Sequence, residues 1–513
     1  MNTGLQATLS QRKLTMLVRL QVFLTGAGKM PRFTRDTIRR SPRLGTARVT
    51  RRKLLTTAVA AGAGALAAPL VLPSRLFGAQ APSQRLNVAA VGTGGRSRAL
   101  MTEILRQGEN LVAFCDVDQR QFASLRQTLA GTVEGGNRAV EQARFYEDYR
   151  KLLDAEKSLD AVVLAIGARW HAPISVRAMQ AGKHVYCEKP LVRTIAEARE
   201  LLELTPRCKV ATQLGTQGVS SKAFRRSVEI IQAGLLGPIE RVYLWSDYCG
   251  KFPPSHDRPA GEDSLPEGLN WDFWLGPCPW RPFKAGVYLP GCIAAQNWLD
   301  MCNGMLSGQG AHTFQLPVRA LKLNPPVRVT AETAETVRET YVSQGCFRFE
   351  YAARDGLAPV TLWWGDGGKY PPTEITDSVK SVRGQLPNTG CLFVGQRGQL
   401  YADGWGVAGI MKLDGDKQWR GVLNHEAVQD LPLSVPRLTH DNHMQEWFDA
   451  CKGGRPTYND FQVGARVAEA YLPGTLALRL GRPIEWDSAR MQVPGAPEAD
   501  RWIHNNYRPK WLT

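Results

Sequence analysis

Gly92, Gly94 and Gly95, followed at position 116 by an aspartate, are the residues whose types and spacing first point to chemistry. The run Leu86-Asn87-Val88-Ala89-Ala90-Val91 reads as a buried strand, and Gly92-Thr93-Gly94-Gly95-Arg96-Ser97 turns it into a helical stretch reaching Leu105. Glycines at such a turn let the backbone approach a pyrophosphate, and N–H groups at the helix start face its negative charge. Ser97 replaces the third glycine of G-x-G-x-x-G and is small enough to keep helix and strand close. A second strand-like run, Leu111-Val112-Ala113-Phe114-Cys115, ends in Asp116. A carboxylate there accepts both ribose hydroxyls and favours NAD, because it repels a 2′-phosphate; nearby Arg120 keeps NADP open. The alternative role for Asp116 is to cap the following helix.

These residues need a sheet behind them. Leu159 to Ile166 and His184 to Cys187 read as further strands, separated by a helical segment from Pro173 to Ala181. Strands alternating with helices at this length predict an α/β, doubly wound parallel sheet of the Rossmann type. At 513 residues and 43% apolar composition the chain is long enough for two cores.

The formal charge of +17 is unevenly spread. Residues 1–81 hold fourteen Lys or Arg against one acid, Asp36, leaving about +4 for the rest of the chain. That remainder is an ordinary solvated surface, and no nucleic-acid partner is expected. Arg51-Arg52-Lys53-Leu54-Leu55 opens an uncharged stretch to Leu72, and Ala79-Gln80-Ala81 supplies small residues for cleavage. This pattern predicts a twin-arginine (Tat) signal, hence the Tat machinery as a partner and a periplasmic or exported protein; a retained membrane anchor is the alternative. Ten cysteines show no C-x-x-C spacing, so no metal is expected, and Cys278, Cys292 and Cys302 leave one disulfide open.

Ala181-Gly182-Lys183-His184-Val185-Tyr186-Cys187-Glu188-Lys189-Pro190-Leu191 closely resembles the AGKHV-x-x-EKP signature of the glucose-fructose oxidoreductase, inositol dehydrogenase and MocA (Gfo/Idh/MocA) family. The resemblance extends through Trp170-His171-Ala172-Pro173, Gly215-Thr216-Gln217, Trp271 to Pro277, Phe393 to Gly398 and Leu480 to Asp487, the later blocks resembling an exported branch. It implies a Lys189 beside the nicotinamide, positioned by Glu188, with a cis Lys189–Pro190 peptide. Removing hydride from a carbinol carbon leaves a proton on its oxygen, so a base or donor must reach that oxygen, and Lys189 would serve. The resemblance also aligns Gly308-Gln309-Gly310-Ala311-His312 with a D-x-x-x-H helix, keeping His312 but placing Gly308 at the acid. A further family acid is replaced by Gln315. Asp300 is the nearest acid to take over, its other reading being a capping or loop residue. Trp170 and His171 would lie near the nicotinamide, His171 alternatively being structural, and Gln217 would touch substrate.

The implied cofactor-binding set is Gly92, Thr93, Gly94, Gly95, Arg96, Asp116, Trp170, His171, Glu188 and Lys189. The expected catalytic set is Lys189, His312 and Asp300, with Lys189, Gln217 and His312 meeting substrate. The domains divide as an extension (1–50), a signal (51–81), a nucleotide-binding domain (82–216) and a substrate-binding and oligomerisation domain (217–513).

In that last domain a helix is expected over Ala223 to Gly234 and strands over Ile239 to Trp245, Val327 to Thr333, Thr336 to Tyr341, Gly345 to Tyr351 and Val360 to Trp364. They suggest the family's C-terminal α+β domain, an open mixed sheet whose outer face makes a homodimer or tetramer. The Pro-, Gly- and Trp-rich stretch Tyr248 to Ala295 either lays aromatic faces over a sugar or forms a satellite core. Residues 487–513 read as an extended surface tail, and Pro473 interrupts an apolar helical period over Phe461 to Leu480, where it should kink the helix unless packing compensates.

Three functions fit: an NAD(P)-dependent oxidoreductase of a sugar or cyclitol, a glycosidase or lyase that oxidises its substrate transiently with tightly bound NAD, and a noncatalytic sugar-binding protein.

Overall fold

The computed structural model describes residues 84–511 apart from 132, 134 and 290. The expected extension and export signal lie outside the described residues, and no described helix is long and apolar enough to cross a membrane.

The first half alternates β1 (Asn87–Val91), α1 (Gly95–Arg106), β2 (Asn110–Cys115), α2 (Gln119–Ala130), α3 (Gly136–Gln142), β3 (Arg144–Tyr146), α4 (Tyr149–Ala155), β4 (Ala161–Leu164), α5 (Ala168–Gln180), β5 (His184–Cys187), α6 (Ile195–Leu204) and β6 (Thr212–Leu214). All six strands run parallel in the order β3-β2-β1-β4-β5-β6. Val88 to Val91 and all of β4 are buried, as a parallel sheet covered on both faces requires. Strand order reverses between β1 and β4, and the crevice at the carboxyl ends of those strands is where such sheets bind ligands.

The second half holds α7 (Lys222–Gln232), β7 (Ile239–Ser246), α8 (Trp271–Leu275), α9 (Gly291–Gln296), α10 (Gly304–Gly308), α11 (Gly310–Thr313), α12 (Gln315–Ala320), β8 (Arg328–Glu332), β9 (Gly345–Tyr351), β10 (Val360–Asp366), α13 (Thr373–Arg383), β11 (Thr389–Gly395), β12 (Gly398–Asp403), β13 (Gly409–Leu413) and β14 (Arg420–Gly421). There follow α14 (His443–Cys451), α15 (Phe461–Leu480), β15 (Ile484–Glu485) and α16 (Asp500–Ile503). Nine strands form a mixed sheet, order β14-β13-β12-β11-β7-β10-β9-β8-β15, in which only β7 and β10 pair in parallel. In β9, Phe347, Phe349 and Tyr351 point into the core and Cys346 and Arg348 out, the period-2 alternation of a strand with one face covered. Val379 of α13 packs with Tyr243, Trp245, Leu392 and Tyr401 in a separate cluster.

The two halves interlock rather than follow one another. Met444, Trp447 and Phe448 of α14 complete the core around Val88, Phe114 and Tyr186 of the parallel sheet. α15 is continuous through Pro473, buried from Ala468 to Leu478, and the Tyr351 hydroxyl donates to the Ala470 carbonyl at 2.9 Å. Packing thus holds this helix where the proline withdraws an N–H.

Two expectations are corrected and one open choice is settled in part. Residues 336–341 form no strand; Thr340 makes one isolated bridge to Trp298, while its hydroxyl and carbonyl are taken by His256 N and Ser255 Oγ. The segment after 487 is no surface tail: Ile503 and Trp511 are buried, the Tyr507 hydroxyl donates to Glu197, and Arg508 pairs with Asp272. Of the two readings of 248–295, the satellite core holds for Trp271, Phe283 and Tyr288, which pack with Trp298 and Met301, while Trp280 is exposed. Cys278 is a free thiol.

Candidate active site

Gly92 leaves β1 with φ +86, and a Cβ there would collide with the Ala165 carbonyl and the Ile166 side chain beyond β4. The turn therefore lies against the switch point with no room for a side chain, and only glycine takes that φ without strain. Gly94 begins α1 in extended backbone with no side-chain cap, so the helix start presents its own N–H groups. Thr93 N and Oγ1 donate to Asp116 Oδ2 at 2.7 and 2.9 Å, and Asp118 N donates to Oδ1 at 3.0 Å. Asp116 thus ties the glycine turn to the end of β2, and burial raises its carboxyl above the ordinary range against those hydrogen bonds. Asp118, not Asp116, caps α2. Arg120 is committed to Asp118 through Nε and Nη2, both at 2.7 Å.

This turn fits a dinucleotide: an uncapped helix start for the pyrophosphate, a glycine cradle that any Cβ would fill, and a carboxylate at the ribose position. Arg120, the guanidinium nearest in sequence to Asp116, is held by Asp118 rather than left to meet a 2′-phosphate.

β5 leads directly into Glu188, which is 7% exposed and gathers the neighbouring elements. Its Oε1 accepts from Arg96 Nε at 2.9 Å and from Gln217 Nε2 at 3.0 Å; Gln217 also donates to the Tyr186 hydroxyl at 2.8 Å. Gly215 leaves space for that carboxylate, since a Cβ would press on it. The Lys189–Pro190 peptide is cis. Beneath it His171 Nδ1 donates to the Pro190 carbonyl at 2.6 Å, and burial pushes the imidazole down to about 4, so the ring is neutral at pH 7. His171 therefore braces the Lys189 turn from below.

Lys189 Nζ crosses to the other half of the protein, donating to the Gly308 carbonyl at 3.5 Å. There α10 and α11 carry the residues opposite the nucleotide turn. His312 is 8% exposed, and among the described residues none hydrogen-bonds its ring. Burial first, then the cations of Lys189 and Arg96, hold its imidazole well below the ordinary value, so it is neutral. Lys189, Pro190, Gln296, Cys302 and the turn Ile166 to Arg169 line a cavity of about 30 Å³. Arg96, Glu188 and Gln217 thus form one hydrogen-bonded group, and the charges of Arg96 and Lys189 act on His312 in the other half.

Other expected residues lie elsewhere. Asp300 does not partner His312: its carboxylate faces Arg281 and Arg258, and its carbonyl accepts from Arg193 at 3.0 Å. Trp170 is packed away from the cleft, its Nε1 donating to the Phe273 carbonyl at 3.1 Å and its ring set edge-on to Trp511 and Tyr149. Gln315 turns back on α11, donating to the Ala311 carbonyl at 3.3 Å.

Two residues were not foreseen. A Cβ on Gly308 would strike the Gln296 amide, so Gln296 occupies the space of the absent side chain. Trp405 sets its ring 6.3 Å from that of His312, on a turn whose N–H groups at 405, 407 and 408 donate to Asp403. The D-G-W-G run around Trp405 is the one sequence signal for that turn.

Comparison with known proteins agrees with this architecture. The Gfo/Idh/MocA oxidoreductase family, NAD-binding Rossmann fold, matches residues 86–216. A glycosyl hydrolase family 109 protein of Stenotrophomonas maltophilia is 28% identical over 231 residues, 42% of this chain and 48% of the relative. Inositol 2-dehydrogenase of Salmonella paratyphi B is 28% identical over 186 residues, 36% and 51% of the two chains. The chain spans about half the length of these relatives. Among solved structures, an inositol dehydrogenase homologue from Azotobacter vinelandii, complexed with NADH and myo-inositol, aligns with TM-score 0.53 at 17% identity, covering 78% of this chain and 98% of that one. The WlbA dehydrogenase of Bordetella pertussis, complexed with NADH and UDP-GlcNAcA, aligns with TM-score 0.51 at 18% identity over the same shares. Residues 86–216, with the glycine turn and the switch-point crevice, match the NAD-binding Rossmann domain of the Gfo/Idh/MocA oxidoreductase family.

Proposed function

We propose that the protein oxidises or reduces a carbinol centre of a sugar, cyclitol or sugar derivative with NAD. The observation that carries this reading is the reach of Lys189, from the segment after β5, to the Gly308 carbonyl of the opposite half, on the segment that leads to His312. Bound there, NAD would take or give the hydride. The chain's own groups handle the oxygen. Neutral His312 accepts the hydroxyl proton, and Lys189 donates a hydrogen bond to the same oxygen and stabilises negative charge as it develops. Glu188 holds Arg96 and Gln217 at the rim and keeps the Lys189 turn in register with α1.

A second reading uses the same residues for transient oxidation followed by elimination of a glycosidic bond, and the family 109 relative supports it. Export through the twin-arginine route belongs to the proposal, resting on Arg51-Arg52 and the uncharged stretch after them; so does a homo-oligomer formed through the mixed sheet. The test is to purify the protein, detect bound nicotinamide by mass spectrometry, and follow its redox state while sugars, inositols and aryl glycosides are added. Net NADH formation supports the dehydrogenase, and glycoside cleavage without net reduction supports the second reading. Lys189→Met should lower kcat about 10²–10⁴-fold with nicotinamide still bound. Unchanged kcat would remove Lys189 from the reaction.

A further inference from the structure

Beyond the Lys189 cleft, a cavity of about 330 Å³ is lined by Tyr248, Arg383, Gln385, Asn388, Tyr401 and Trp405, among others. This size lies in the range of small-ligand sites, roughly 300–1,000 Å³. Trp405 is shared between the two places: its ring is 6.3 Å from His312 and 6.4 Å from Tyr248, centroid to centroid, and it remains 38% exposed. The turn that presents it is fixed, because Asp403 accepts three backbone N–H groups from it and the Trp405 carbonyl lies against Gly218, where a Cβ would collide. Gln309 Nε2 adds a bond to the Gly404 carbonyl at 3.3 Å, tying the turn to the segment that carries His312.

Tyr401 lines the cavity and is fully buried, and among the described residues its hydroxyl has no hydrogen-bond partner. A buried hydroxyl left unpaired costs about 1–3 kcal/mol, so it calls for a partner in the cavity it lines. The Asp403 carboxylate is used up by the turn, and the Arg383 guanidinium lies 5.7 Å from the Tyr401 ring centroid. What remains is one cation set against an aromatic, two side-chain amides, a phenol and an exposed indole. That set suits an uncharged polyhydroxylated ring, with hydroxyls for the amides and phenol and a C–H face for the indole.

We propose that this cavity is a second saccharide subsite, so that the substrate is a glycoside or oligosaccharide whose terminal ring meets Lys189 and His312 while the next ring stacks on Trp405. The inference rests on the sugar-oxidoreductase reading and extends it to substrate length. The test measures binding independently of turnover, by saturation-transfer NMR and titration on the NAD-loaded full chain. Glucose, galactose and N-acetylglucosamine are compared with cellobiose, lactose and chitobiose. At least one disaccharide should bind tenfold or more tightly than its monosaccharide. Tyr401→Phe and, separately, Asn388→Ala should cut that advantage at least threefold and leave the monosaccharide Kd unchanged. Equal binding of every pair, no binding of any saccharide, or groove variants that leave the advantage intact would overturn the subsite. The redox reading falls on a different result, the absence of bound nicotinamide from the same preparation.

Discussion

The wall of the cleft between Gly92 and Asp116 and the wall between Gly304 and Gln315 keep their shapes by different means. The first is main chain: a left-handed glycine pressed on a carbonyl, an uncapped helix start, and Thr93 bonded to Asp116 across twenty-three positions. The second is side chain: Gln296 fills the space over Gly308, Arg281 draws Asp300 away, and Trp405 arrives from a distant turn to stand beside His312. A main-chain wall admits almost no added atom, whereas a side-chain wall can lose a carboxylate and be refilled by a neighbour.

Gly92→Ala should break the first wall outright. Strain and collision cost about 1–3 kcal/mol, and saturable NAD binding should vanish in calorimetry, while a Gly108→Ala control, also at positive φ but with open space, keeps it. Retained NAD affinity in Gly92→Ala would show that the turn is softer than its geometry. On the second wall, Gly308→Asp should cost about 1–3 kcal/mol by overpacking against Gln296, read as a lower urea midpoint, and adding Gln296→Ala should recover most of it. If the single variant is as stable as the parent, Gln296 does not hold that space.

The smallest effect concerns acid. Burial holds His171 and His443 down to about 4, below the ordinary imidazole value, so the unfolded chain takes up protons between about pH 6.5 and 4 that the folded one refuses. Their contribution to stability is complete above about pH 6.5 and is lost as pH falls toward 4. Asp366, raised to about 7 by burial, works in the opposite direction over that range. His443→Gln should therefore flatten the fall of Tm from pH 6.5 to 4, and an unchanged slope would show that His443 takes no part.

The contrast between walls also explains what could be read from the sequence. Gly92 to Ser97, Asp116 and the run ending in Glu188-Lys189-Pro190 are local patterns, and the structure sets them around one crevice. Asp300 misled because proximity to His312 in the chain says nothing of arginines arriving from 193, 258 and 281. Trp170 stands at the expected strand end, but its neighbour Trp511 lies 341 positions away, and that contact decides which way the indole faces. The strands from Thr389 to Leu413 went unnoticed: Thr389–Gly395 is almost wholly buried, and a short apolar run bounded by glycines carries no period to separate strand from helix.

The seating of Met444, Trp447 and Phe448 against Val88, Phe114 and Tyr186 sets a timetable for biosynthesis. Translation delivers the mononucleotide fold hundreds of codons before the helix that seals its underside. A nascent chain therefore carries an open apolar patch until that helix leaves the ribosomal tunnel.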